Sequence, residues 1–87
     1  MGIDDVMGQL RAFIRESFKV SSKDADFDDD VHLFDYGYVD SFGAVQLINF
    51  IGERFHVTIS DQDLVIHPLN TIREIATLVD QRMRTTR

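Results

Sequence analysis

Cysteine is absent from the 87 residues, so no disulfide, thiolate metal site or cysteine nucleophile is available. A chain this short without covalent staples must hold itself together by packing helices around one small core. It has no room for a cleft between lobes, and an enzyme with its own deep active site is not expected. Basic residues are also scarce. Nine Lys plus Arg stand against fifteen Asp plus Glu, a formal net charge of −6. That balance argues against nucleic-acid binding and favours basic partners. Long apolar runs are missing too: nothing approaches the roughly 20 residues that span a bilayer, which argues against membrane insertion. The start, MGIDDVMGQL, lacks the basic beginning and apolar stretch of a secretory leader. A cytoplasmic, monomeric domain is the expectation.

What the chain does contain is helical periodicity. Ile3, Val6, Met7, Leu10, Phe13 and Ile14 recur at three- and four-residue steps and predict a helix over about 3–18. The period is then lost through residue 40, in a segment rich in Asp and Ser. Loops of this length in compact domains tend to be functional or disordered. Phe27, Val31, Leu33, Phe34 and Val39 predict that this one is pinned to the core, with Gly37 supplying a turn. Ala44, Leu47, Ile48, Ile51 and Phe55 predict a second helix over about 41–56, ending before Val57-Thr58-Ile59. Ser60 can cap a short helix over about 61–66 that must stop before Pro68. Thr71 and Glu74 stand at capping-box spacing ahead of Ile72, Ile75, Ala76, Val79 and Met83, a helix over about 71–83 with RMRTTR as a frayed polar tail. An all-α single domain, 1–87, follows: three long helices and one short one, with a long loop between the first two.

The stretch GYVDSFGAV places Ser41 where loop gives way to helix. Ser41 can be read as a cap, a nucleophile or a point of attachment. As a hydrolase nucleophile it lacks the GxSxG frame, its flanks being Val39 and Gly43. His32, His56 and His67 read better as surface or packing residues than as its base. Asp40 suffices as the cap, since its carboxylate can accept an N–H of the first turn and oppose the positive helix end. The same helix end would favour a phosphate ester on Ser41. Beside the buried stripe, Phe42, Val45, Asn49 and Gly52 form a second row, which either packs under the long loop or forms a ridge for partners. Gly43 and Gly52 each cost about 1 kcal/mol relative to alanine in a helix, which points equally to a close approach to the backbone or to a helix that is poorly optimised.

The loop DADFDDDVHLFD raises a different possibility, an acidic EF-hand-like calcium module. Asp24, Asp26 and Asp28 fall at positions 1, 3 and 5 of such a loop and Asp35 at position 12. Position 6 should be glycine and is Asp29; position 12 should be a bidentate glutamate and is the shorter aspartate. A solvated acidic loop, strained by repulsion among Asp28, Asp29 and Asp30, is the simpler reading.

LFDYGYVDSFGAVQLINFIGERFHVTIS, followed by LNTIREIATLV, resembles the acyl and peptidyl carrier proteins, whose motif is a loop, then Asp-Ser-Leu, then a helix of the form x-x-Val-Glu-Leu. The resemblance covers nearly the whole chain, to about Val79. It implies a four-helix bundle of the acyl-carrier type. It also implies that a phosphopantetheinyl transferase attaches 4′-phosphopantetheine covalently to Ser41, with Asp40 presenting it, and that the arm's thiol holds acyl or aminoacyl groups as thioesters. A chain without cysteine then needs no thiol of its own. Gly37 matches the family's loop glycine, and Phe42, Val45, Gln46, Asn49 and Gly52 fall in the region of helix two where partners dock. Three departures narrow the type: Phe42 replaces the leucine after the serine, Gln46 replaces an acid, and Gly52 and Arg54 stand where fatty-acid carriers are often acidic. Glu53 is left as the acid inside helix two. The pattern is similar to stand-alone D-alanyl or specialised-metabolism carriers, loaded by an adenylating acyl or aminoacyl ligase and unloaded by a transferase or condensing enzyme.

Overall fold

The computed structural model describes residues 2–66 and 69–85. His67, Pro68, Thr86 and Arg87 lie outside the described residues, and with them one candidate base, the proline stop and the end of the tail. The described residues form α1 (Ile3–Ser17), α2 (Ser41–Phe55), α3 (Asp61–Ile66) and α4 (Ile72–Thr85), with no strand among them.

The apolar stripe of α1 buries Val6, Met7, Leu10 and Ile14, while Asp4 and Asp5 lie at its positive end and Arg15 at its negative end. Phe18 closes the helix by donating its N–H to Ile14 O at 2.9 Å, and Lys19, at φ 55°, turns the chain away. Both α1 and α2 pack against α4. That shared role widens the buried arc of α4 to Ile72, Ile75, Ala76, Leu78 and Val79. The two capping boxes close reciprocally. Ser60 Oγ accepts the Asp63 N–H while Asp63 accepts the Ser60 N–H; Thr71 Oγ1 accepts from Glu74 and Glu74 accepts from Thr71. Helix α4 extends through Thr85, where Arg84 pairs with Asp80 at 3.1 Å and Arg82 reaches Asp63 at the start of α3.

The long loop is fastened at many points. Phe27, Val31, Leu33 and Val39 are buried, but Phe34 is 37% exposed, contrary to its assignment to the core. At Phe34 the loop curls on itself, Gly37 donating its N–H to Phe34 O, and the side chain is left at the rim. The expected repulsion among the central aspartates is largely relieved. Arg11 donates to both carboxylate oxygens of Asp29 at 2.5 and 2.7 Å, and Arg73 Nε to Asp30 at 2.6 Å, tying the loop to α1 and α4. That Arg73 hydrogen bond holds the Asp30 carboxyl below its usual range. Leu33 N–H to Asn70 O and Arg73 N–H to Asp29 O add main-chain ties at 2.8 and 3.0 Å. Arg15 lies over the Phe27 ring, 4.7 Å from its centroid. Tyr38 donates to Asp24 at 2.9 Å; burial and that bond push its hydroxyl up to about 12.

Gly37 supplies the turn expected of it, at φ 79° with nothing within 4 Å of where a Cβ would stand. Gly37→Ala therefore meets only backbone strain and should destabilise the protein by about 1 kcal/mol in a urea titration. A loss several times larger would show that the loop tip is packed against something.

Candidate attachment site at the start of α2

The loop delivers the chain to α2 in a fixed orientation. Val39, 2% exposed, donates its N–H to Leu33 O at 3.1 Å, closing the loop just before Asp40. Asp40 adopts an extended conformation (φ −101°, ψ −175°), and its Oδ1 accepts the Gly43 N–H at 2.7 Å. Its carbonyl accepts the Ala44 N–H at 2.9 Å. Asp40 is therefore the N-cap, as its chemistry predicts. Ser41 is the first residue of the helix and is exposed. Among the described residues no hydrogen bond engages its hydroxyl. A phosphodiester on this oxygen would project into solvent at the positive end of α2; the first turn carries no acid, and the adjacent Asp40 carboxylate is engaged by the Gly43 N–H. The residues present thus fit a covalently bound phosphopantetheine group.

Phe42 and Val45 do not pack beneath the loop: they are 71% and 55% exposed. Gln46 and Asn49 are exposed as well, and Gly52 is half-buried. The outer face of α2 is consequently apolar near Ser41 and uncharged until Glu53 and Arg54. The close approach implied by the glycines is real at Gly43 but comes from within the chain. A Cβ there would stand 2.8 Å from Phe18 Cε1. At Gly52 a Cβ would meet only Val57 O at 3.8 Å, an ordinary contact, so no steric need keeps glycine at that position.

Among the described residues the other readings of the sequence find no machinery. His56 is the left-handed cap at the far end of α2, and His32 Nδ1 accepts the Asp35 N–H at 3.0 Å. Each has a local role. Nothing in the described geometry supports the calcium reading. Asp24 accepts from the Asp26 N–H and Tyr38, Asp28 accepts from the Asp30 N–H, and Asp35 sits beside His32. Among the described residues no three His, Asp or Glu side chains converge to hold a metal ion. No helix among them is long and apolar enough to cross a membrane.

Two features escaped the sequence reading. Tyr36, 65% exposed, stacks its ring parallel to Tyr38 with centroids 6.5 Å apart; nothing in the local pattern separates it from the loop's buried aromatics. Asp63, 6% exposed, takes two hydrogen bonds from Arg82, nineteen residues away. The sequence marks Ser60 as the cap, whereas neither the reciprocal bond from Asp63 nor its ionic partner follows from local spacing.

The profile of the family described as phosphopantetheine attachment site matches residues 8–79. The chain belongs to that family: it is a carrier protein bearing a covalently attached 4′-phosphopantetheine group, not itself a catalyst, and such domains work with a phosphopantetheinyl transferase and with biosynthetic enzymes. No curated protein matches the chain.

Proposed function

We propose that Ser41 Oγ is the attachment point and that the chain, a single carrier domain built as a four-helix bundle, shuttles aminoacyl or specialised acyl thioesters between separate enzymes. The observation that carries this is the division of labour at the start of α2: Asp40 makes the cap hydrogen bond, which leaves the Ser41 hydroxyl exposed and, among the described residues, unengaged. Attachment forms a bond between Oγ and the phosphorus of a phosphopantetheine-bearing nucleotide. The donor's diphosphate P–O bond breaks, the nucleotide leaves, and the serine proton passes to a base of the transferase. Coexpression with a phosphopantetheinyl transferase should add the mass of one phosphopantetheine to the protein. An unchanged mass under conditions that modify a control carrier contradicts the reading.

Two observations favour small cargo over long fatty chains; loading by an adenylating ligase rests on the resemblance of the sequence to D-alanyl and specialised-metabolism carriers. The outer face of α2 carries Phe42, Val45, Gln46 and Asn49 where docking onto a basic enzyme would call for acids. The apolar crevice bounded by Phe34, Ala44, Leu47, Ile48, Ile59 and Leu69 encloses about 30 Å³, room for a water or two but not for a long alkyl chain. Docking through Phe42 and Val45 is then mainly a matter of apolar burial, with Gln46, Asn49 and Gly52 alongside.

Phe42→Ala should slow loading by the cognate ligase about tenfold, as loss of an interface anchor does, without changing the melting temperature. Loading of the unaltered protein should change less than about threefold between roughly 50 and 300 mM salt, because screening acts on charge and not on apolar contact. A steep fall with salt, or full loading of the Phe42 variant, would place the docking surface elsewhere.

A further inference from the structure

The first turn of α2 is backed by one aromatic ring. Gly43 is buried two residues after Ser41, about 200° around the helix, so it faces inward while Ser41 faces out. A Cβ on Gly43 would stand 2.8 and 3.0 Å from Cε1 and Cζ of Phe18 and 3.2 Å from Asp40 Oδ1. The missing side chain therefore admits two things at once, the ring edge and the capping carboxylate.

Phe18 is itself held from both ends. Its backbone N–H closes α1 on Ile14 O, and Val20 donates to Arg15 O at 3.0 Å just beyond it. Its ring meets Phe13 edge-on at 6.0 Å; Phe13 stacks on Phe50 at 4.1 Å, and Phe50 meets Phe55 edge-on at 6.1 Å. This row of four aromatics references the end of α1 to the body of α2.

Resting on the reading of Ser41 as the attachment point, we propose that Phe18 is a positioning residue for the transfer reaction: its ring, seated in the gap left at Gly43, fixes the turn that presents the Ser41 hydroxyl. A shift of a few tenths of an ångström in that turn displaces the nucleophile from its line of attack on phosphorus, and misplacement on this scale costs about tenfold in rate.

The test compares the full-length chain with Gly43→Ala, Phe18→Leu and the double variant. Phosphopantetheine transfer by a broad-specificity transferase is followed by intact mass, kcat and KM are separated, and amide hydrogen exchange is read at position 43. Each single variant should lose about tenfold in kcat with KM within about twofold, and the position-43 amide should exchange faster as its bond to Asp40 loosens. The double variant should recover toward the unaltered rate, because the shorter leucine leaves space for the added methyl. Unchanged kcat in folded Phe18→Leu overturns the proposal, whether or not Gly43→Ala folds. So does a double variant whose defects simply multiply. An unaltered chain that stays unmodified beside a modified control carrier overturns the Ser41 reading, and the positioning role with it; unaltered protein that is modified, with variants equal to it, removes the positioning role alone.

Discussion

Ser41→Ala leaves the mass of the protein unchanged after incubation with a phosphopantetheinyl transferase and its donor, while the unaltered chain gains one phosphopantetheine. The effect is complete because the variant lacks the oxygen that forms the new bond, and no neighbouring group replaces it: Asp40 is committed to the Gly43 N–H and Phe42 and Gly43 have no nucleophile. Stability should hardly move. Ser41 is exposed and makes no hydrogen bond among the described residues, so its melting temperature should stay within about 3 °C, the range of ordinary surface substitutions. A variant that loses modification and also melts far below the unaltered protein would mean that Ser41 has a structural duty.

The largest effect on stability is expected at Asp63 and Arg82. Asp63 is buried, caps α3 through Ser60 and accepts two hydrogen bonds from the Arg82 guanidinium, joining α3 to the last turns of α4. Asp63→Ala removes the carboxylate half of the capping box and the charge that faces the half-buried Arg82 guanidinium; Arg82→Met leaves a buried carboxylate with hydrogen bonds from Ser60 but no counter-charge. Removing one partner of such a pair is far more damaging than replacing both. Each single variant should melt about 10 °C or more below the unaltered protein, and the pair replaced together by apolar residues should recover part of the loss. The pair also dictates an acid response. The Arg82 hydrogen bond first, and the bonds from Ser60 after it, hold the Asp63 carboxyl well below the usual carboxylate range. A depressed folded-state value means that the stabilisation is fully present above the unfolded value, about 4, and is lost as pH falls below it. Acid unfolding followed by circular dichroism should therefore begin at higher pH in Arg82→Met. Identical acid midpoints would deny the pair its role.

The contrast between these sites shows what was legible in the sequence. Helix positions follow from local spacing, and the apolar steps of α1, α2 and α4 mark them. Leu78 lies outside the single apolar stripe that the spacing of α4 marks, because both α1 and α2 lean on that helix and bury a wider arc. The Asp40 cap, and with it the place of Ser41 at the start of α2, was legible because capping is decided within four residues. The ties of the acidic loop were not: Arg11 meets Asp29 across 18 positions and Arg73 meets Asp30 across 43, and only the folded path brings them together. The aspartates consequently read as a repelling cluster or a calcium loop. Gly43 stood out as costly in a helix, but the cause, the Phe18 ring from the end of α1, lies 25 positions earlier and carries no local signal.

The central claim is chemical and concerns one oxygen atom. Trypsin cuts after Lys23 and Arg54, and the peptide Asp24–Arg54 contains Ser41 as its sole serine and no threonine. Tandem mass spectrometry of the digested, transferase-treated protein should find one phosphopantetheine on this peptide, with the fragment series placing it on Ser41. The modification on a peptide bearing Ser17, Ser21, Ser22 or Ser60, or on none, would contradict the account.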